Sequence, residues 1–257
     1  MRNLAAEFER ARALARAACA PQPVLTEADV AKLPPPVQRH VRRCGALGRP
    51  RPVLLQWLFD AEMGRKPGQA GWPGVAEQFD RFDIPQRVFF MRSKMFGLPV
   101  AVLHRYEGTQ ASMTVRLASL FNVVDLHSDE LARTETVTLL NDLVFFAPAW
   151  LVDPRLAWRA VDERRADVTF SNGAHRVGAT LHFDDRGDLV NFTSEDRSML
   201  QDDGSFKRVR WSTPTRGYRD FDSLRLPSAG EAVWHLHDGP EGDFVYGRFT
   251  LRSFSAR

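Results

Sequence analysis

The chain has 257 residues, 44% of them hydrophobic, with 35 Lys+Arg against 32 Asp+Glu and a formal charge of +3. That size and apolar content suit one large β domain or two small ones and exclude disorder as the default. So mild and scattered a positive charge argues against a nucleic-acid surface. The cysteines Cys19 and Cys44 have none of the paired spacings of a zinc site, and they point to a reducing compartment with a Cys19–Cys44 bridge as the alternative. No run approaches the ~20 apolar residues needed to span a bilayer. Glu7, Glu9, Arg10, Arg12 and Arg16 interrupt the N-terminal stretch where a signal peptide would be apolar, so a cytoplasmic protein is expected.

In chain order, Leu4, Phe8, Ala11 and Leu14 or Ala15 recur at helical spacing. Such a helix docks on its own domain or makes weak membrane-surface contact; the thin, Ala-rich face favours docking. Thr26-Glu27-Ala28-Asp29 begins a short helix, Pro34-Pro35-Pro36 breaks it, and Pro36 can start another that stops at Gly45. Residues 1–50 therefore read as a helical appendage to a β domain over 51–257.

From Val53 the period becomes two: Leu55, Trp57, Phe59, Ala61 and Met63 point one way, Gln56, Asp60 and Glu62 the other. Similar segments follow at roughly ten-residue spacing, separated by turns such as Phe96-Gly97, Glu107-Gly108 and Asn172-Gly173. The expectation is a mainly β fold, a large curved antiparallel sheet or half-barrel of about eleven strands built as a meander. One helix interrupts it after the fifth strand. Ser128-Asp129-Glu130-Leu131 supplies a polar start and Pro148 a stop, which predicts a helix over 129–147 that plugs the concave side.

Three segments carry a family resemblance: Leu33-Pro34-Pro35-Pro36-Val37-Gln38-Arg39; Glu135-Thr136-Val137 through Leu140-Asn141-Asp142 to Ala147-Pro148; and Trp211-Ser212-Thr213-Pro214 with Tyr218-Arg219. Together they resemble a bacterial family of uncharacterised proteins with an L-P-x-x-V-Q-R-Y start, an acidic helix and a late aromatic–Pro–Tyr stretch. The likeness runs from about residue 30 to 254, with His40 at the usual tyrosine and Asp142 at the usual glutamate. The strand–helix order is also similar to the bacterial lipoprotein-carrier fold. That resemblance implies a curved sheet and plugging helix around an apolar cavity for acyl chains.

Nucleotide loops, the serine-hydrolase elbow and H-E-x-x-H are all missing from the sequence. The strongest positive feature is a run with apolar groups on both faces, Phe89-Phe90-Met91 followed by Met95 to Leu103, which a sheet wetted on one side does not need. Either protein covers both faces, the commoner outcome, or part of one lines a cavity. Met91, Met95 and Met113 lean towards the cavity, because thioethers adapt to varied apolar ligands. Glu135 and Asp142 share one side of the helix and can meet Arg92 or Arg197, either as anchoring ion pairs or as a headgroup or acid–base site. His235-x-His237 on a strand is a metal pair in geometry, but it lacks nearby further ligands and reads as solvent-facing.

The expected function is a binding module for an apolar or amphipathic, lipid-like small molecule. Trp57, Phe90, Met91, Met95, Met113, Phe145 and Phe146 are the candidate lining. Arg92, His104, Tyr106, Glu135 and Asp142 are the candidate polar contacts. No cofactor, metal or nucleic acid is expected. The alternatives are an enzyme with Glu135 or His104 as acid–base group, and a protein- or membrane-interaction module.

Overall fold

A computed structural model describes residues 3–64, 66–118, 121–236 and 242–257. Helix α1 (Leu4–Ala17) is capped by Asn3, whose side chain accepts the Ala5 N–H, and it buries Leu4, Phe8, Ala11 and Ala15. Leu14 is exposed, which settles the alternative at that turn. Thr26 and Asp29 close a capping box on α2 (Glu27–Val30). Helix α3 (Pro35–Arg43) starts one residue earlier than expected, since both Pro35 and Pro36 fit first-turn positions that need no N–H partner.

The sheet begins with β1 (Leu54–Met63), which opens a meander through β2 (Trp72–Arg81), β3 (Gln86–Met95), β4 (Leu98–Glu107), β5 (Gln110–Leu117) and β6 (Phe121–His127). The sixth strand corrects the expectation of five before the long helix. It is an edge strand exposed along most of its length, so it shows no buried face for alternation to reveal. Helix α4 (Asp129–Phe146) follows, with the Ser128 side chain accepting the Leu131 N–H and Asp129 and Glu130 in the positive first turn.

Helix α4 delivers the chain to the opposite edge of the same sheet, at β7 (Leu156–Ala160). From there β8 (Arg165–Asn172), β9 (His175–Phe183) and β10 (Leu189–Ser194) lead inward. Short strands follow: β11 (Ser198–Leu200), β12 (Phe206–Arg208), β13 (Trp211–Ser212), β14 (Thr215–Arg216), β15 (Arg219–Phe221) and β16 (Leu224–Leu226). Then β17 (Ala229–His235) and β18 (Asp243–Ala256) return the chain to β1. The order is β6-β5-β4-β3-β2-β1-β18-β17-β13-β10-β9-β8-β7, all pairs antiparallel, with β14 also on β17 and the pairs β11–β12 and β15–β16 set apart. First and last strands thus meet in the middle, and the chain passes from one free edge to the other along α4.

A flat sheet of this width would exceed 40 Å, at about 4.8 Å per strand. Helix α4 nevertheless bonds to strands on both halves: Thr136 to Tyr106 of β4, Asn141 to Thr213 beyond β13, and Thr134 to Ser198 of β11. The sheet therefore curls around the helix, helped by register shifts at Leu58/Phe59, Val115/Arg116 and Ala232/Val233. Helix α4 is buried on nearly every side, from Leu131 to Phe145.

The two-sided apolar run of β3 now has two owners. Phe89 and Met91 join the concave core with α4, whereas Val88 and Phe90 pack with Leu4, Phe8, Ala11 and Ala15 on the convex face. The expected N-terminal appendage contributes to both layers: α1 covers the convex face, and Leu25, Val30, Leu33, Val37 and Val41 join the main core. Among the described residues no helix is long and apolar enough to cross a membrane. Cys19 and Cys44 are both free.

Candidate functional site

Between α4 and the inner face of β1, β17 and β18 lies a cavity of about 180 Å³. Phe59, Met63, Phe89, Phe145, Phe146, Phe249 and Leu251 supply apolar wall, while Gln78, Arg87, His104, Glu135, Asn141, Asp142 and Arg197 supply polar groups. Alternation explains most of this placement. Odd-numbered residues of β1 and β3 point inward, and even-numbered residues of β2 and β4 do the same.

At one end of the cavity sits a buried charge network. The Arg87 guanidinium donates to Asp142 (2.7 Å), Glu135 (3.0 Å) and the Gln78 carbonyl (3.1 Å). Gln78 in turn donates to Asp142 (2.8 Å) and Asp80 (2.9 Å). Burial pushes the Glu135 carboxyl up, but His104, 3.7 Å away, together with the charges of Arg87 and Arg197 outweighs it and holds the group down at about 2. A carboxylate so strongly held is ionised at neutral pH and is a poor proton carrier. Asp80 behaves oppositely. Burial, and then the adjacent Asp142 charge, pushes it well above the carboxylate range, and its Oδ2 is buried without a partner among the described residues.

The cavity's other polar feature is Arg197. Its guanidinium carbon lies 4.4 Å from the Trp211 ring centroid, 4.9 Å from Trp234 and 5.9 Å from Tyr246. Nε donates to the Thr138 hydroxyl (3.3 Å) and Nη1 to the Tyr246 hydroxyl (2.9 Å), which also accepts from Trp211 Nε1 (3.1 Å).

Of the residues singled out in sequence, His104, Glu135, Asp142, Phe145 and Phe146 line this cavity. Trp57 and Met91 point inward and are buried, but they stand behind the lining; Trp57 packs on Phe146 and Phe254. Met113 is half-buried against the same core, and Met95 sits partly exposed near the β3–β4 turn, away from the cavity. Tyr106 is buried beneath α4, bonded to Thr136 rather than standing at a mouth. Phe90 and Arg92 correct the expectation. Both are even-numbered on β3 and therefore face the convex side, where Phe90 stacks on Phe8 and Arg92 pairs with Glu77 at 2.8 Å. The arginine that meets Glu135 and Asp142 is Arg87, which shares the parity of Phe89. Arg87, Gln78 and Thr213 were not anticipated; the parity of β3 was the available signal for Arg87.

One further constellation deserves comparison. On the convex face Ser212 Oγ lies 2.8 Å from His235 Nε2, and His235 Nδ1 lies 2.6 Å from Asp243 Oδ1. The order matches a hydrolytic triad, but Ser212 is only 4% exposed, and none of the three lines a described cavity. A substrate carbonyl cannot reach its oxygen, so the array is a cross-strand hydrogen-bond chain. His237 lies outside the described residues.

Comparisons with known proteins place the chain by family rather than by activity. No curated protein matches it in sequence. Among solved structures it is similar to a domain described as an outer membrane lipoprotein-sorting protein from Vibrio parahaemolyticus. The identity is 6%, the TM-score 0.45, and the match covers 80% of this chain and 86% of that one. It is also similar to a DUF1329 family protein from Desulfovibrio piger, at 9% identity and a TM-score of 0.36, over 91% and 94% of the two chains. A family profile matches residues 23–249, nearly the whole chain. The protein belongs to DUF6544, a family of unknown function.

Proposed function

We propose that the protein binds an amphipathic small molecule in the cavity between α4 and the sheet. The observation that carries this reading is the cavity's composition: aromatic and aliphatic walls on one side, with fixed charged groups converging from α4, β3 and the loop before β11. Ligand sites are mostly apolar hollows with a few placed polar groups, and this one has that balance. A volume of about 180 Å³ compares with the ~150 Å³ apolar cavity that takes up benzene. The size suits a ring or one short alkyl chain better than a two-chain lipid.

The ion pairs of Arg87 satisfy each other, so they anchor α4 and wall off one end rather than drive chemistry. Binding without turnover is therefore the reading the geometry supports best. The test is native mass spectrometry of the purified protein combined with titration of the neutral fluorophore N-phenyl-1-naphthylamine. Saturable binding is expected, and Ala232→Leu, which fills the cavity from β17, is expected to abolish it while leaving thermal unfolding cooperative. Failure to take up any apolar probe, or uptake unaffected by Ala232→Leu, would overturn the proposal.

A further inference from the structure

Arg197 stands in the stretch between β10 and β11 with no carboxylate within ion-pair distance among the described residues, although the chain is rich in arginine–carboxylate pairs. Its guanidinium is oriented by the faces of Trp211 and Trp234 and by bonds to Thr138 and Tyr246. Those two bonds use two of its five N–H donors. Nη2 makes no bond among the described residues and is not sealed from solvent, and the residue borders the cavity. The Tyr246 hydroxyl already accepts from Arg197 and Trp211, so its own proton is left to donate. Asn141 donates to the Thr213 hydroxyl at 2.6 Å, which likewise leaves the Thr213 proton for another acceptor. Three side chains lining one cavity thus carry donors, and the guanidinium among them has no carboxylate in ion-pair contact among the described residues, acting on Glu135 only through its charge.

We propose that Arg197 is the anion-recognition residue of this cavity, and that the ligand is an organic monocarboxylate whose apolar body lies against Phe145, Phe146 and Phe249. The proposal rests on the binding function above and narrows its ligand class. A carboxylate only accepts hydrogen bonds, and it pairs with a planar guanidinium through two parallel bonds, which matches a held arginine with spare donors. The ion pairs at Arg87 reinforce the selectivity. Glu135 and Asp142 face two guanidinium groups, Arg87 bonded to both and Arg197 acting on Glu135 through its charge, so a cationic head would find no excess negative charge there. The aromatic faces are covered by the guanidinium itself, which excludes them as a cage for an ammonium group.

The experiment is calorimetric titration of the full chain with octanoate, 1-octanol and octylammonium, three probes sharing one tail, repeated on Arg197→Met and Arg197→Lys. The parent is expected to prefer octanoate over octanol about 10- to 100-fold, the range for a charge-assisted hydrogen-bonded pair, and to bind octylammonium weakest. Arg197→Met should lose that preference and keep octanol binding, while Arg197→Lys should retain part of it. Equal affinity of the parent for octanoate and octanol would overturn the assignment of Arg197 and leave the apolar cavity standing. Binding of none of the three would overturn the cavity itself. Should Arg197→Met fail to fold, the parent's ranking of the three heads and the Arg197→Lys titration decide the question alone.

Discussion

Asn172 donates to the hydroxyl of Tyr106 at 2.7 Å, and this contact joins β8 to β4 although β3, β2, β1, β18, β17, β13, β10 and β9 lie between them in the sheet. The same amide reaches the Gly108 carbonyl at 2.5 Å, and the Tyr106 hydroxyl bonds to Thr136 of α4. Two distant hairpin turns therefore meet over the helix and pin it at one corner. The fit is close: Gly173 has φ +58, and a Cβ there would stand 2.6 Å from Thr109. The sheet stays open along β6 and β7, yet it behaves at this corner like a closed ring.

That pin should be measurable. Asn172→Ala leaves the buried Tyr106 hydroxyl short of a donor and frees the exposed Gly108 carbonyl, which costs about 1–3 kcal/mol. Tyr106→Phe should cost less, and the double variant should be less destabilised than the sum of the two, because the groups share one bond. Urea unfolding of the four proteins checks this; strict additivity would show that the corner carries no coupling.

Arg87 is the hinge of the buried charge network, so its removal should be severe. Arg87→Met removes the guanidinium bonded to both buried carboxylates, Glu135 and Asp142, and should cost about 3–5 kcal/mol. Adding Glu135→Gln and Asp142→Asn should restore much of the loss, since the uncompensated charges disappear. A triple variant no more stable than Arg87→Met alone would refute the account.

The first strand, the bracket Ser128 to Pro148 and the pairing of most hairpins could be read from alternation, caps and turns. Which face of β3 would be covered by which helix could not: Phe89 and Phe90 are equally apolar, and only the docking of α1 through Phe8 separates them. Glu135 and Asp142 were visible as a pair on one helix side, but their partner Arg87 lies 48 residues from Glu135, and nothing local links them. Arg197 sits beside Glu195 and Asp196 in a stretch without periodicity, where an arginine reads as a solvated surface charge. Its aromatic setting comes from Trp211, Trp234 and Tyr246, brought together only when β13, β17 and β18 pair. The alternation of Phe206–Thr213 covers β12 and β13, whereas β11, β14, β15 and β16 leave no such trace, since two or three residues do not establish a period.

Asp80 supplies a test of opposite sign. Its carboxyl is pushed well above 3.8 by burial and by Asp142, so the folded protein holds a proton that the unfolded chain releases above that pH. The parent therefore loses stability as pH rises above 3.8 on this group's account. Asp80→Asn keeps the acceptor for Gln78 and cannot ionise. It is expected to be more stable than the parent at pH 7, with the gain fading as pH drops below 3.8; a variant equally destabilised at both pH values would contradict this.

The convex core should depend on α1 through a single side chain. Phe8 is 1% exposed, and its ring lies 5.6 Å from both Phe79 and Phe90. Phe8→Ala should cost about 3–5 kcal/mol by loss of burial and cavity formation. Hydrogen exchange is expected to quicken along β3 and β4 more than in β8 and β9, because the latter pair lies outside this core. Uniform loss of protection would show that the two faces do not respond separately.

His40 should govern stability in mild acid. It is fully buried on α3, with Nδ1 at 3.1 Å from the Gly187 carbonyl and the Cys44 sulfur 3.5 Å from Nε2. Burial drives its imidazole down to about 4 against the weaker upward pull of Gly187. The folded state thus keeps His40 neutral where the unfolded chain, at 6.5, takes a proton. Between those values the unfolded state binds more protons, so stability falls as pH is lowered from 6.5 towards 4, by about 3 kcal/mol in total. Above 6.5 the group contributes no slope. His40→Gln retains a donor for Gly187 without titrating, so its stability, followed by urea unfolding at successive pH values, should run nearly flat from 6.5 to 4.5, below which the unfolded chain begins to protonate Glu135 while the folded carboxyl stays ionised to about 2. A variant whose profile keeps the parent's full slope between 6.5 and 4 would place the acid sensitivity elsewhere in the fold.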